Sequence, residues 1–288
     1  MKNNLTSSQY IKEIMKQHGA KFTRSLGQNF LKDPFIVESI IETAELTKDD
    51  VVIEIGPGIG VMTDKIAQEA GHVFAVEIDR KLIPILEQTL SERDNVTLIN
   101  EDVLKLDLEA LRAAHFPDKR PKIIANLPYY ITTPIIMMFL ESGFEFESMT
   151  VMMQKEVAER IVSPPGKKSY GSLSVAVQYY TQSEKALQVP RSSFVPEPNV
   201  DSTVLLLKPH RAPIVDVADH AMFLRTIKAA FSTRRKTLLN ALSNDFDKGT
   251  VKEALAMAEI DPGLRGERLD IVEFAKLANA FSKIVKSS

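Results

Sequence analysis

Asn126-Leu127-Pro128-Tyr129-Tyr130 sets an amide, a proline turn and two phenols side by side. An exocyclic amine on a nucleobase is a poor nucleophile, because its lone pair is delocalised into the ring. Two acceptors on its N–H bonds, the Asn126 side-chain oxygen and the Pro128 carbonyl, would hold that nitrogen with the lone pair aimed at an electrophile. An aromatic ring such as Tyr129 would stack on the base. Positioning and electrostatics then supply most of the rate, without a metal or a strong base. Alone, the tetrapeptide reads equally well as a strand-to-loop turn with a buried Tyr. Its weight comes from what precedes it.

Glu54-Ile55-Gly56-Pro57-Gly58-Ile59-Gly60 is a glycine loop that lets the backbone turn tightly and approach a ligand closely. The spacing is G-x-G-x-G with Val61 next, so the dinucleotide fingerprint is not met. Glu54 puts negative charge where a pyrophosphate would lie. A cationic or neutral ligand is expected instead, and S-adenosylmethionine, with its ammonium and sulfonium, fits. Further on, Glu77 is placed to accept ribose hydroxyls, and a carboxylate at Glu101-Asp102 to accept from an adenine amine. Any one of these acids could be only a helix cap.

These residues need a parallel sheet beneath them. Val51–Ile55, His72–Val76, Val96–Ile99, Lys122–Ala125 and Met149–Met153 read as strands separated by helical patterns, which implies right-handed βαβ units. Helices are expected from Asp79 to about Leu90 and over Pro134–Glu141. Asp33-Pro34 opens another, with Ile36, Val37, Ile40, Ile41 and Ala44 on one face. Ser163–Pro198 is rich in turns, Thr203–Leu207 is a last strand, and Lys208–Pro213 reads as a linker. Beyond Asp216 only helices are expected. Thr250 and Glu253 form a capping box for one, and Phe223, Ile227 and Phe231 are core positions. The fold class is α/β: a mostly parallel, Rossmann-like sheet over residues 1–209, then a small all-helical domain over 210–288.

Composition narrows the classes. The 288 residues are 44% hydrophobic and 26% charged, so disorder and low-complexity readings fail. With no Cys, a disulfide scaffold and a thiol nucleophile are excluded, and the His residues lack zinc-site spacing. No metal is expected. A net charge of −2 excludes a uniformly basic coat protein but allows a basic patch. The apolar run Ile123–Leu140 contains Pro128 and Pro134, which argues against a membrane span, and the N-terminus lacks a signal-peptide pattern. A soluble, cytoplasmic protein is expected.

In order along the chain, the motifs resemble those of the small-subunit ribosomal RNA adenine dimethyltransferases. They are Ser25-Leu26-Gly27-Gln28-Asn29-Phe30-Leu31, Glu54–Gly60, Val76-Glu77, Glu101-Asp102, Asn126–Tyr130, Gln154–Ala158, Phe194–Ser202 and Phe231–Lys236. The resemblance spans nearly the whole chain. It implies that Asn29, Leu31, Gly56, Glu77, Asp102 and Asn126 bind S-adenosylmethionine. Asn126, Tyr129 and Phe194 would hold the target adenine, with Phe194 closing the face opposite Tyr129. It also implies a substrate: two adjacent adenosines in a hairpin loop near the 3′ end of small-subunit rRNA, each dimethylated within a pre-30S particle by a monomeric enzyme.

Candidate phosphate contacts are Arg234, Arg235 and Lys236, then Lys167 with Lys168, and Lys21 with Arg24. Two readings compete. One is the large-subunit adenine methyltransferase of macrolide resistance, which shares the Asn-x-Pro-Tyr chemistry. The other is a non-catalytic assembly factor. Gly263–Leu269 and Ile271–Phe274 resemble the small-subunit enzymes, and intact Asn126, Tyr129, Glu77 and Asp102 argue for catalysis.

Overall fold

The computed structural model describes residues 5–23, 27–128 and 130–287. Tyr129, Arg24 and the Ser25-Leu26 portion of the first motif lie outside the described residues. The elements run α1 (Ser8–Gln17), β1 (Phe30–Leu31), α2 (Pro34–Ala44), β2 (Val51–Ile55), α3 (Val61–Glu69), β3 (His72–Val76) and α4 (Ile83–Thr89). Next come β4 (Val96–Ile99), α5 (Leu108–His115), β5 (Lys122–Asn126), α6 (Thr132–Glu141), β6 (Ser148–Gln154) and α7 (Lys155–Ile161). They are followed by α8 (Ser172–Tyr180), β7 (Thr181–Val189), β8 (Phe194–Val195) and β9 (Ser202–Pro209). The last helices are α9 (His220–Ala230), α10 (Leu238–Leu242), α11 (Lys248–Met257) and α12 (Ile271–Ser287).

The main sheet has the order β4-β3-β2-β5-β6-β9-β7. Strands β2 to β6 are parallel, and β9 is antiparallel to β6. Parallel strands are covered on both faces and so read as near-continuous apolar runs; every residue of β2 is buried, Glu54 included. The chain winds outward from β2 to β4, then crosses back to β5 beside β2. Ligands of open α/β sheets bind in the crevice where the strand order reverses, outside the strands' carboxyl ends. A Rossmann-like, mostly parallel sheet with a helical C-terminal region is what the strand pattern implied.

Helix α2 starts as its sequence demands. Asp33 accepts from the Phe35 N–H, Pro34 occupies the first turn, and Ile36, Val37, Ile40 and Ala44 are buried. Helix α4 is shorter than expected because Asp79, Arg80 and Lys81 form a turn ahead of it. A second, two-stranded sheet pairs β1 with β8: Phe30 faces Val195 and Leu31 faces Phe194. The Lys32 N–H donates to the Ser193 carbonyl (2.9 Å), and the Ser193 hydroxyl to the Asp33 carboxylate (3.1 Å).

The chain divides into two compact units, Met1–Ala158 with Ser183–Pro209, and Glu159–Gln182 with His210–Ser288. The sequence pattern alone leaves Glu159–Gln182 in the first domain. Packing decides otherwise: Tyr170, Val175 and Tyr179 belong to the core formed by Phe223, Ile227, Leu238, Leu255, Phe274 and Phe281. The Tyr170 hydroxyl donates to the Leu269 carbonyl at 3.0 Å. Phe231 packs against that core only partly buried. The cap of α11 also differs from expectation. Asp247, not Thr250, receives the free N–H groups of Gly249 and Thr250 (2.8 and 3.1 Å), because the helix begins at Lys248.

Candidate functional site

The β2–α3 loop turns on glycines in the left-handed region: Gly56 at φ +71°, Gly58 at +64° and Gly60 at +89°. A Cβ on Gly58 would meet the Phe30 ring at 3.0 Å, so the bare backbone there is required by close packing as well as by φ. The loop floor is tied to β3, with the Gly56 N–H donating to the Val76 carbonyl at 3.0 Å.

Glu77 follows β3 and is nearly buried. Its carboxylate accepts from the backbone N–H of Asp79 (2.8 Å) and of Gly58 (3.2 Å). Burial pushes it up to about 7, against the pull of those donors and with the charge of Asp79 adding to the rise. Asn100, just past β4, braces it, donating to the Glu77 carbonyl at 2.7 Å. Asp102 is half-buried and accepts from the Leu104 N–H (3.1 Å).

Glu54 behaves otherwise than expected. It is fully buried, and Ile55 and Gly56 line the cleft while Glu54 does not. Both its oxygens and the Thr63 hydroxyl have no hydrogen-bond partner among the described residues. Thr63 lies close enough to favour the charge slightly, without a hydrogen bond of normal geometry. Desolvation dominates, with the Glu77 charge adding, and lifts Glu54 to about 8. At pH 7 it is mostly a neutral acid. It therefore puts no negative charge against a ligand, and that role falls to Glu77, Glu101 and Asp102.

Asn126 ends β5, and its amide nitrogen donates to the Asn29 carbonyl at 3.2 Å. That bond fixes which end of the amide is the nitrogen and leaves the oxygen as an acceptor. The Pro128 carbonyl accepts from the Ile131 N–H (3.1 Å) and the Thr132 hydroxyl (3.0 Å). Its two lone pairs are thus committed to starting α6, which removes it as the second acceptor assigned from sequence. Leu127, held by its N–H to the Met152 carbonyl (3.1 Å), has the next carbonyl in the turn.

Asn29 donates to the Gly27 carbonyl (2.9 Å), and Leu31 sits in β1 against the buried Phe194. Through that pairing Phe194 reaches the same cleft as the glycine loop. The cleft holds about 1050 Å³ of non-atom space, the open solvent at its mouth included. It brings together Asn29, Leu31, Gly56, Glu77, Asp102, Asn126 and Phe194. Its described lining includes three carboxylates and no Lys, Arg or His. Such a wall repels phosphates and accommodates a cationic nucleoside with apolar surface. S-Adenosylmethionine is such a molecule, and these residues fit it. Among the described residues no cluster of metal-ligating side chains occurs.

Sequence reasoning gave Gln28 no role. Its amide bonds Asp79, a partner 51 positions away that no local spacing reveals. In the helical unit, Arg234 is exposed, but its guanidinium donates to the Lys168 and Tyr170 carbonyls. Arg235, Lys236, Lys167 and Lys168 are exposed. Among the described residues no helix is long and apolar enough to cross a membrane.

Comparison with known proteins places this geometry. The ribosomal RNA adenine dimethylase model matches residues 19–283. The chain is 52% identical over 278 residues to ribosomal RNA small subunit methyltransferase A of Enterococcus faecalis, covering 94% of each chain. It is 49% identical over 284 residues to the enzyme of that name from Alkaliphilus oremlandii, covering 98% of this chain and 99% of the other. A dimethyladenosine transferase structure from Plasmodium falciparum superposes with a TM-score of 0.74 at 28% identity, covering 88% of this chain and 98% of that one. The 23S rRNA methyltransferase ErmE gives 0.65 at 27% identity, over 88% and 100%. Matched over almost its entire length, the chain belongs to the ribosomal RNA adenine dimethylase family.

Proposed function

We propose that this chain transfers methyl groups from S-adenosylmethionine to N6 of two adjacent adenosines in the 3′-terminal hairpin loop of 16S rRNA. The product is a pair of N6,N6-dimethyladenosines made during small-subunit biogenesis. The observation that carries the reading is the meeting of Glu77, Asn126 and Phe194 in one cleft whose described lining has carboxylates and no cation.

S-Adenosylmethionine supplies an electrophilic methyl carbon on a positively charged sulfur. Gly56 would let its methionine part approach the backbone, with Asn29 and Leu31 covering it. Glu77 would accept the ribose hydroxyls, for which its ionised form is needed, and Asp102 the adenine amine. Asn126, already anchored through its nitrogen, would take an N–H of the target amine on its oxygen, and the Leu127 carbonyl would take the second. This aims the nitrogen lone pair without removing a proton beforehand. Phe194 would pack on one face of the flipped base and Tyr129 on the other.

Residues 210–288 with Glu159–Gln182 would form the RNA-facing helical domain, using Arg234, Arg235 and Lys236. The substrate form would be rRNA in a pre-30S particle, the enzyme a cytoplasmic monomer. ErmE shares the fold at a lower TM-score, so a large-subunit substrate is the reading to test against. Purified protein incubated with labelled donor and unmodified 30S or 50S particles should label only the 30S, in the 3′-terminal hairpin. Label confined to 50S would overturn the assignment.

A further inference from the structure

We infer that Gln28 is a positioning residue for the methyl donor, clipping the N-terminal strap to the turn that holds Glu77. The strap Gly27–Leu31 forms one wall of the cleft, and the β3–α4 turn forms another. Between them stands one side chain with both ends of its amide engaged. Gln28 Nε2 donates to Asp79 Oδ2 at 2.8 Å, and Gln28 Oε1 accepts from the Thr23 N–H at 2.7 Å. Asp79 in turn donates its own backbone N–H to Glu77 Oε1 at 2.8 Å and accepts from the Lys81 N–H on Oδ1 at 3.1 Å.

With its amide committed at both ends, Gln28 has little left to offer a ligand. Its effect is transmitted: the strap that carries Asn29 and Leu31 is joined to the residue that orients the Glu77 carboxylate. The Asn29 carbonyl continues the connection by receiving the Asn126 amide (3.2 Å). One line of hydrogen bonds thus links the ribose end of the cleft to the base end through the strap. A neutral amide donating to a carboxylate is the stronger, charge-assisted kind of bond, and it joins segments that share no secondary structure. This inference rests on the donor-site reading above.

The test exchanges the chemistry of the pair. Gln28→Glu keeps the acceptor for the Thr23 N–H but sets a carboxylate against Asp79. Adding Asp79→Asn restores a donor–acceptor pair in reversed polarity, and the new amide oxygen can still accept from Lys81. Donor affinity is measured by calorimetric titration of S-adenosylmethionine into the full chain, beside Glu77→Ala and with thermal midpoints for each variant. Gln28→Glu should bind about tenfold more weakly, the order of a lost hydrogen bond to a charged group. The double variant should recover most of that loss. Wild-type affinity in Gln28→Glu, or no recovery in the double variant, overturns the clip. Undiminished affinity in Glu77→Ala would instead overturn the donor-site reading beneath it.

Discussion

Replacing Glu54 with Gln should stabilise the protein increasingly as pH rises. The carboxyl group is fully buried with no hydrogen-bond partner among the described residues, and burial raises it from 4.5 to about 8. The unfolded chain gives up this proton near 4.5, whereas the folded protein holds it until about 8. Between those values the folded state binds more protons than the unfolded state, so stability falls as pH rises across the window. Each pH unit is worth about 1.4 kcal/mol, so the whole span amounts to about 5 kcal/mol. Gln has the shape of the neutral acid and does not titrate. The advantage of Glu54→Gln over wild type should therefore grow by about 3 kcal/mol between about pH 5.5 and pH 8. Urea unfolding of both proteins at the two pH values measures this, since titrating groups not coupled to Glu54 cancel in the difference. A constant difference across the window would mean that Glu54 is ionised in the fold and that the burial argument is wrong.

Glu77→Ala should abolish S-adenosylmethionine binding in a filter or calorimetric assay while RNA binding persists; equal donor affinity would remove Glu77 from the site. Because burial raises Glu77 to about 7, donor affinity should fall by up to about tenfold per unit as pH drops below that value. Glu77→Gln should flatten this profile. Asn126→Ala should lower kcat about 10²–10³-fold, the range for removing one preorganised polar group from the reacting atoms, with RNA still retained in a gel-shift assay. Near-normal turnover would take it off the catalytic list. Arg235→Ala with Lys236→Ala should reduce the salt dependence of particle binding, its log–log slope shrinking by about 0.7–0.9 for each phosphate no longer neutralised. An unchanged slope would place the RNA elsewhere.

The sequence alone determined the sheet, because both faces of a parallel strand are buried and the apolar runs Val51–Ile55 and Lys122–Ala125 stand out against charged surroundings. It determined the glycine loop as well, since Gly56, Gly58 and Gly60 directly after a strand mark a backbone that must turn tightly. The identity of Glu77, Asp102 and Asn126 as strand-end groups followed from the same pattern. The tertiary structure decided what each group can do. Glu54 and Glu77 are alike in sequence, yet one is buried in β2 with no hydrogen-bond partner among the described residues while the other reaches the cleft with two N–H donors. Pro128 has a free carbonyl on paper and a doubly occupied one once α6 begins beside it. The two-residue pairing of β1 with β8, and the bond from Gln28 to Asp79, join distant segments over stretches too short to leave any periodicity. Periodicity records which face of an element is buried; protonation, lone-pair occupancy and long-range clips depend on neighbours that only folding supplies.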